Sequence, residues 1–518
     1  MPTPVKDQVW RLIKSLTKAE KRNFKLFATR AAATTNAKFI QLFDLLDRAE
    51  TLDDEAVIRR MKLTPGKYSN LKRHLNQQVL TSLRLLHINK EIDIELREQI
   101  DFARILYGKG HYLDALRILE KAKAKAVEHN QDLLHLEIVE FQKLIEARHV
   151  TLSRQVDNKM DLLLNESAER SYSILNTSEL FNMNIQIHGR YIESGHSRNA
   201  EEEQHNIAFW EEIQTVRVDR ETVTSTFHQK INRFQSAMWY HYIQLNFEES
   251  LEAAKNASTL FTLSRQMTVK DPDLYLRCLY YVSVFAYLLG DLALLTRYRQ
   301  RLATFLQDEN IQFNENSRTI GSIYFHLTQY NEHFLREDWE AAYAYSQLIA
   351  EQHASKEFRP AQHRWGLFLY KAAAAAFQVG KFAEALDYLN EIINMKLGIH
   401  REDLLINTRL LHALCNFELG HVSLVDYHLT SLSRLLRRSR ETAELHRLAV
   451  STLRKLLNTP QRERVAVFTD LFNSIAELTA NPFERKALHY LRLDNWAKSH
   501  LEPGLRKNLM PEQTVSVF

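Results

Sequence analysis

The sequence predicts an all-α fold: a small basic helical domain at the N-terminus, followed by an array of stacked helical hairpins. Three observations lead there. The 518 residues hold 12 glycines and 9 prolines, about 4% together where average usage gives roughly 12%. Such a chain has few residues suited to the tight turns that sheets require. Its 45% apolar residues are ample for a large core. A short pattern of glycine, aromatic residue and alanine also recurs at helical spacing beyond residue 90.

Residues 1–90 read as four or five short helices. Thr17-Lys18-Ala19-Glu20 has the form of a capping box, in which hydroxyl and carboxylate satisfy backbone donors reciprocally, and it opens a segment with Phe24 and Phe27 on one face. Asn36 is a candidate cap for AKFIQLFDLLDRA. Thr51 with Asp54 opens DEAVIRRMK, which stops near Leu63. Thr64-Pro65 then supplies the N-cap and first residue of GKYSNLKRHLNQQVLTSLRLL, proline being pre-set for that position. The result is a helix, a short turn and a second helix. If the first packs across Leu71, Leu75 and Val79, then Lys67, Asn70, Lys72, Arg73 and Gln77 offer amides and cations on the other side, as a helix-turn-helix would.

Beyond residue 90 the chain repeats. LYGKGHYLDALRILEKA carries Gly110, Tyr112, Ala115, Leu119 and Ala122, and AAAAAFQVGKFAEALDYLNEI carries Gly380, Phe382, Ala385, Leu389 and Ile392 in the same register. Small residues let two helices approach, and the aromatic fills the wedge between them. Weaker copies keep Phe247, Ser250 and Ala257, or Trp339, Ala342 and Ile349, or only Gly290 and Gly420 with apolar successors. No clear copy falls between 123 and 240, though LLHLEIVEFQKLIEA continues the helical period. SYSILNTSELFNMN and HSRNAEEEQHN read as connections, and LEPGLRKNLMPEQTVSVF as a mobile tail.

In these positions the chain resembles the tetratricopeptide-repeat (TPR) proteins, with steps of 47, 43 and 40 between the markers Gly290, Glu337, Gly380 and Gly420 where that family's unit is about 34 residues. The opening SLTKAEKRNFKLFA followed by a TPR-like body is similar to a family of uncharacterised bacterial proteins, a resemblance that brings no activity with it. It implies a right-handed TPR-like α-solenoid over 91–480, preceded by the basic domain 1–90 and followed by a C-terminal helix and tail at 481–518. In TPR arrays the first helix of each pair lines a concave groove. Carried over copy by copy, those positions are Tyr280 and Tyr287, Asn331 and Phe334, Tyr370 and Phe377, and Asn407 and Phe417. Aromatic rings and amides of this kind suit an extended peptide or an amphipathic helix, although each aromatic is equally suited to filling core between repeats.

Net charge is +4, unevenly spread. Residues 1–90 hold 18 basic and 8 acidic residues, and from Ala56 to Lys90 there are eight basic residues and no acidic one. That face suits a nucleic acid or ribosomal RNA, an acidic protein, or plain solvent. Chemistry leaves little trace. Gly108-Lys109-Gly110 lacks a third glycine, Gly66-Lys67 lacks the upstream one, and no G-x-S-x-G, H-E-x-x-H or paired C-x-x-C occurs. Glu146/His149, Glu202/His205 and His412/Cys415 have i, i+3 spacing that two metal ligands could share, but packing and chance account for them. Cys278 and Cys415 cannot form a disulfide framework, and the longest apolar run, Leu279 to Leu289, is too short to span a bilayer.

The expectation is therefore a cytoplasmic, non-membrane interaction protein that performs no catalysis, with no catalytic residue, cofactor or metal. It would bind a protein or peptide partner in its groove. The alternative is a nucleic-acid- or ribosome-binding regulator whose array senses a ligand or forms a homo-oligomer.

Overall fold

The computed structural model describes residues 8–31, 38–88, 91–149, 158–215, 226–311, 313–395, 402–439 and 443–502. Every regular element among them is helical, with no strand. The chain divides into two compact units, Met1–Ile174 and Leu175–Phe518. No described helix is long and apolar enough to cross a membrane. Asn36 and the tail beyond 502 lie outside the described residues.

The first unit opens with α1 (Gln8–Ser15), α2 (Lys18–Ala31), α3 (Lys38–Arg48), α4 (Asp54–Met61) and α5 (Pro65–His87). The capping box at α2 forms: the Thr17 backbone N–H donates to Glu20 Oε2 at 2.7 Å, and the Glu20 N–H to Thr17 Oγ1 at 3.2 Å. Thr64 caps α5 with Pro65 as its first residue. The cap of α4 is Asp53, which accepts from the Ala56 N–H at 2.9 Å, rather than the expected Thr51. The two lie close together and either could cap. A core of Ile13, Phe24, Leu42, Phe43, Leu46, Leu75 and Val79 unites these helices. α5 packs on α2 and α3, and α4 on α3; α4 also meets the start of α5, where the Tyr68 hydroxyl donates to Asp54 Oδ1 at 2.6 Å, and Val57 of α4 shares the core with Leu75 and Val79.

A second core in this unit joins α6 (Ile92–Gly108), α7 (Tyr112–Glu128) and α8 (Asp132–His149). Ala115, Leu119 and Ala122 are buried in it, the small side chains allowing α6 and α7 to approach. The division between the units falls along α9 (Lys159–Ser194). SYSILNTSELFNMN is part of that helix and not a connection, because Leu180 and Met183 are buried and outweigh its serines and asparagines. Most of HSRNAEEEQHN likewise belongs to α10 (Ala200–Thr215).

The second unit continues with α11 (Phe227–Ile243), α12 (Phe247–Leu263), α13 (Gln266–Lys270), α14 (Pro272–Leu288), α15 (Leu292–Leu306), α16 (Glu315–Leu335) and α17 (Trp339–Ala354). There follow α18 (Gln362–Gln378), α19 (Phe382–Asn394), α20 (Glu402–Glu418), α21 (Val422–Arg438), α22 (Glu444–Leu457), α23 (Arg464–Leu478), α24 (Pro482–Leu491) and α25 (Leu493–Leu501). One apolar core runs through it from Met238 to Ala497. Sequential helices pair, as α11 with α12, α14 with α15, α18 with α19 and α20 with α21. The first helices also meet one another, α14 with α16, α16 with α18 and α18 with α20.

One turn joins the members of these pairs. At Gly380 the chain adopts φ +78°, its N–H donates to the Phe377 carbonyl at 3.1 Å, and the Lys381 N–H reaches back to the Ala376 carbonyl at 2.8 Å. This is the Schellman arrangement that satisfies the last carbonyls of a helix, and glycine enters its left-handed position without steric cost. The same backbone bonds close the helices before Gly110, Gly290 and Gly420. They also form where no glycine is present: Leu245 (φ 62°), Glu337 (φ 56°) and Asn130 (φ 52°) occupy the left-handed position, and the bonds Asn246 N–H to His241, Asp338 N–H to His333 and Gln131 N–H to Ala126 are retained. The Asn130 turn falls in the stretch where the sequence shows no copy.

Candidate functional site

Three first helices of the second unit carry residues at i, i+4 and i+7: Tyr280, Val284 and Tyr287 on α14, Leu327, Asn331 and Phe334 on α16, and His363, Leu367 and Tyr370 on α18. That spacing puts each trio on one helix face. All three faces line a single cavity of about 750 Å³, within the range of sites that enclose small ligands or the ends of chains. Five of the eight groove candidates therefore share a wall: Tyr280, Tyr287, Asn331, Phe334 and Tyr370. The other three do not line it. Phe377 is buried and packs against Phe382. Asn407 is buried, donating to the Asp403 carbonyl at 2.8 Å and pairing with His446 at 3.2 Å. Phe417 meets the edge of Trp496 and lies under the Arg464 guanidinium. These three serve the core.

The rest of the wall comes from segments far away in the sequence. Tyr191 and His196 at and just beyond the end of α9, Tyr242 on α11 and Asp403 on α20 contribute, and α24 returns to add His489 and Tyr490. The Tyr370 hydroxyl donates to the Tyr490 carbonyl at 3.0 Å, fastening α24 to α18. Beyond α24 the chain is anchored twice more. Arg492 bonds Glu337 at one left-handed turn and Asp494 beside it. Trp496 Nε1 donates to Glu418 Oε1 at 2.7 Å, and His500 Nε2 lies 2.8 Å from the same oxygen.

The electrostatics centre on Lys371, next to Tyr370 and absent from the sequence-based candidates. Its Nζ donates to Asn331 Oδ1 at 2.8 Å and lies 4.7 Å from the Phe334 ring centroid and 5.5 Å from that of Tyr287. Those distances allow cation–π attraction. It forms no ion pair among the described residues, and burial pulls its ammonium from 10.5 down to about 8. Burial also pushes the Tyr287 hydroxyl up to about 12 and pulls His489 down to about 4, so that imidazole is neutral at pH 7. The wall holds aromatic rings, three histidines (His196, His363 and His489), Asp403 and one lysine.

Of the motifs with ligand spacing, His149 stacks on Tyr112 with ring centroids 3.6 Å apart, and Glu202 is bound by Arg198. His412 bonds to Asn390 and Asn416, while burial pushes the Cys415 thiol far up. Among the described residues no group of three or more His, Cys, Asp or Glu could hold a metal ion.

On the first unit, Lys67, Asn70, Arg73 and Gln77 are exposed along one side of α5, and Arg59, Arg60 and Lys62 are exposed at the end of α4 and the turn after it. None of these five cations makes an ion pair among the described residues. Lys72 stands apart from them: its ammonium pairs with Asp54 at 3.3 Å, close to the Tyr68 ring. No protein-family model, curated protein or solved structure matches this chain.

Proposed function

We propose that the protein is a non-enzymatic interaction protein whose second unit is a right-handed TPR-like array, and that its aromatic cavity holds a short segment of a partner chain, such as a peptide end. The observation that carries this reading is the repeated i, i+4, i+7 stripe of three neighbouring first helices, all facing one cavity. Rings supply contact area at low entropic cost, and the Asn331 amide offers hydrogen bonds to a bound backbone. The shared left-handed turn and the contacts between first helices support the repeat reading, and the buried thiols of Cys278 and Cys415 suit a reducing cytoplasm.

The test is selection of short random peptides on the full chain. Enriched peptides are expected to bind the wild type and to lose binding in Val284→Trp, which fills the cavity. Equal binding to both proteins removes the reading.

A second reading rests on a different observation, the five exposed cations of α4, α5 and their turn. They would hold a nucleic acid, including ribosomal RNA, through its phosphates. Retention on RNA that weakens steeply with salt and is lost in Lys67→Glu/Arg73→Glu supports it, and retention unaffected by that double substitution removes it.

A further inference from the structure

We infer that the cavity of the second unit selects a carboxylate joined to an apolar or aromatic body, with the Lys371 ammonium as its receptor. This rests on the reading of that cavity as a ligand site and names the chemistry of its occupant. An ammonium has three donors, and among the described residues one acceptor meets it, Asn331 Oδ1 at 2.8 Å. The rings of Phe334 and Tyr287 attract the charge but do not neutralise it.

Other charges nearby are already committed or silent. Arg492, behind the wall, is held by Glu337 and Asp494, and His489 is neutral. Asp403 lines the same cavity without pairing with Lys371. By contrast, the buried carboxylate of Glu332, the residue after Asn331 on α16, is bonded by Arg299, Arg336 and Thr296. Lys371 has no such company. It is the one lysine or arginine among the described lining residues.

The composition of the wall limits the anion. A phosphate dianion calls for several donors, commonly arginine forks or a run of backbone N–H groups. One ammonium with one amide beside it fits a single negative charge, and the aromatic faces fit an apolar body attached to it. A carboxylate of that kind occurs at the C-terminus of a peptide and in small arylalkanoic acids.

The experiment is calorimetric titration of the full chain with three probes: N-acetylated leucyl-phenylalanine with a free carboxylate, the same dipeptide as its amide, and 4-phenylbutyrate. Each is run on the wild type, on Lys371→Met and on Asn331→Asp, with circular dichroism to verify folding. Lys371→Met removes the receptor, whereas Asn331→Asp keeps the lysine and gives it an internal carboxylate, so the inference stays testable if either variant misfolds. A charged hydrogen bond predicts that the wild type prefers acid over amide by about tenfold or more, with the preference absent from both variants.

Binding of the dipeptide acid but not of phenylbutyrate identifies a peptide terminus as the source, and the converse a small acid; both uphold the carboxylate. Equal affinity for acid and amide, or a preference that survives in the variants, overturns the inference and leaves the cavity as a binding site. Absence of binding by every probe at millimolar concentration overturns the inference together with the reading it rests on.

Discussion

Lys67 and Arg73 stand in water on α5 of the first unit, while Lys371 stands among aromatic rings on α18 of the second. The charge is the same, but Lys67 and Arg73 are exposed whereas Lys371 is half-buried. A hydrated cation loses little by being unpaired, acts over a distance of about one Debye length, and is screened by salt. A cation enclosed by protein gives up hydration that one amide and two ring faces only partly replace. The exposed face is thus suited to attracting a polyanion of almost any sequence, whereas the enclosed one is suited to discriminating a single anionic group.

The largest expected effect breaks the enclosed half of this comparison. Burial lowers Lys371 from 10.5 to about 8, so between those values the unfolded chain binds more protons than the folded one and stability rises with pH. At pH 7 both states carry the proton and the folded state bears the full desolvation cost, about 3 kcal/mol on this shift. Lys371→Met is therefore expected to stabilise the protein by about 1–3 kcal/mol at neutral pH and to abolish the rise between pH 8 and 10.5, as read by urea unfolding across that range.

A smaller effect sharpens the contrast with a buried charge that does have partners. Burial pushes the Glu332 carboxyl up, but hydrogen bonds from Arg336, Arg299 and Thr296 more than reverse this and hold it below its usual value. Its contribution is present above pH 4.5 and is lost as pH falls through the lowered value. Glu332→Gln is expected to cost about 1 kcal/mol at pH 7, a difference that fades on acidification in the same unfolding experiment. The smallest effect on stability belongs to the exposed face: Lys67→Glu/Arg73→Glu should leave the melting temperature unchanged, because surface substitutions of this kind break no buried contact.

What the sequence made legible was local. Thr17 with Glu20, and Thr64 with Pro65, form their caps because the bonds involved span only three residues. Gly110 and Gly380 mark turns because glycine advertises a left-handed backbone. Leu245 and Glu337 make the same turn without that advertisement, and nothing in their side chains announces it. Five groove candidates line one cavity because the repeat register places them on a common helix face. Phe377, Asn407 and Phe417 sit in the same register but are covered by neighbours from α19, α22 and α25, a matter the register does not address. Nothing local marks Lys371: a lysine beside a tyrosine is ordinarily solvated, and its partners Asn331 and Tyr287 are distant in the chain.

The sequence by itself determined that this protein is helical, since the scarcity of glycine and proline and the 3.6-residue period of its apolar residues act within each segment. It also determined that the excess positive charge lies in the first 90 residues. Only the tertiary structure decided which faces close on one another: that α24 returns to α18 through Tyr370 and Tyr490, that Asp403 and His489 join the wall, and that Lys371 lines it with no ion pair among the described residues. Periodicity sets which side of a helix is apolar, but what covers that side depends on contacts between residues as far apart as Tyr370 and Tyr490, which no local pattern encodes.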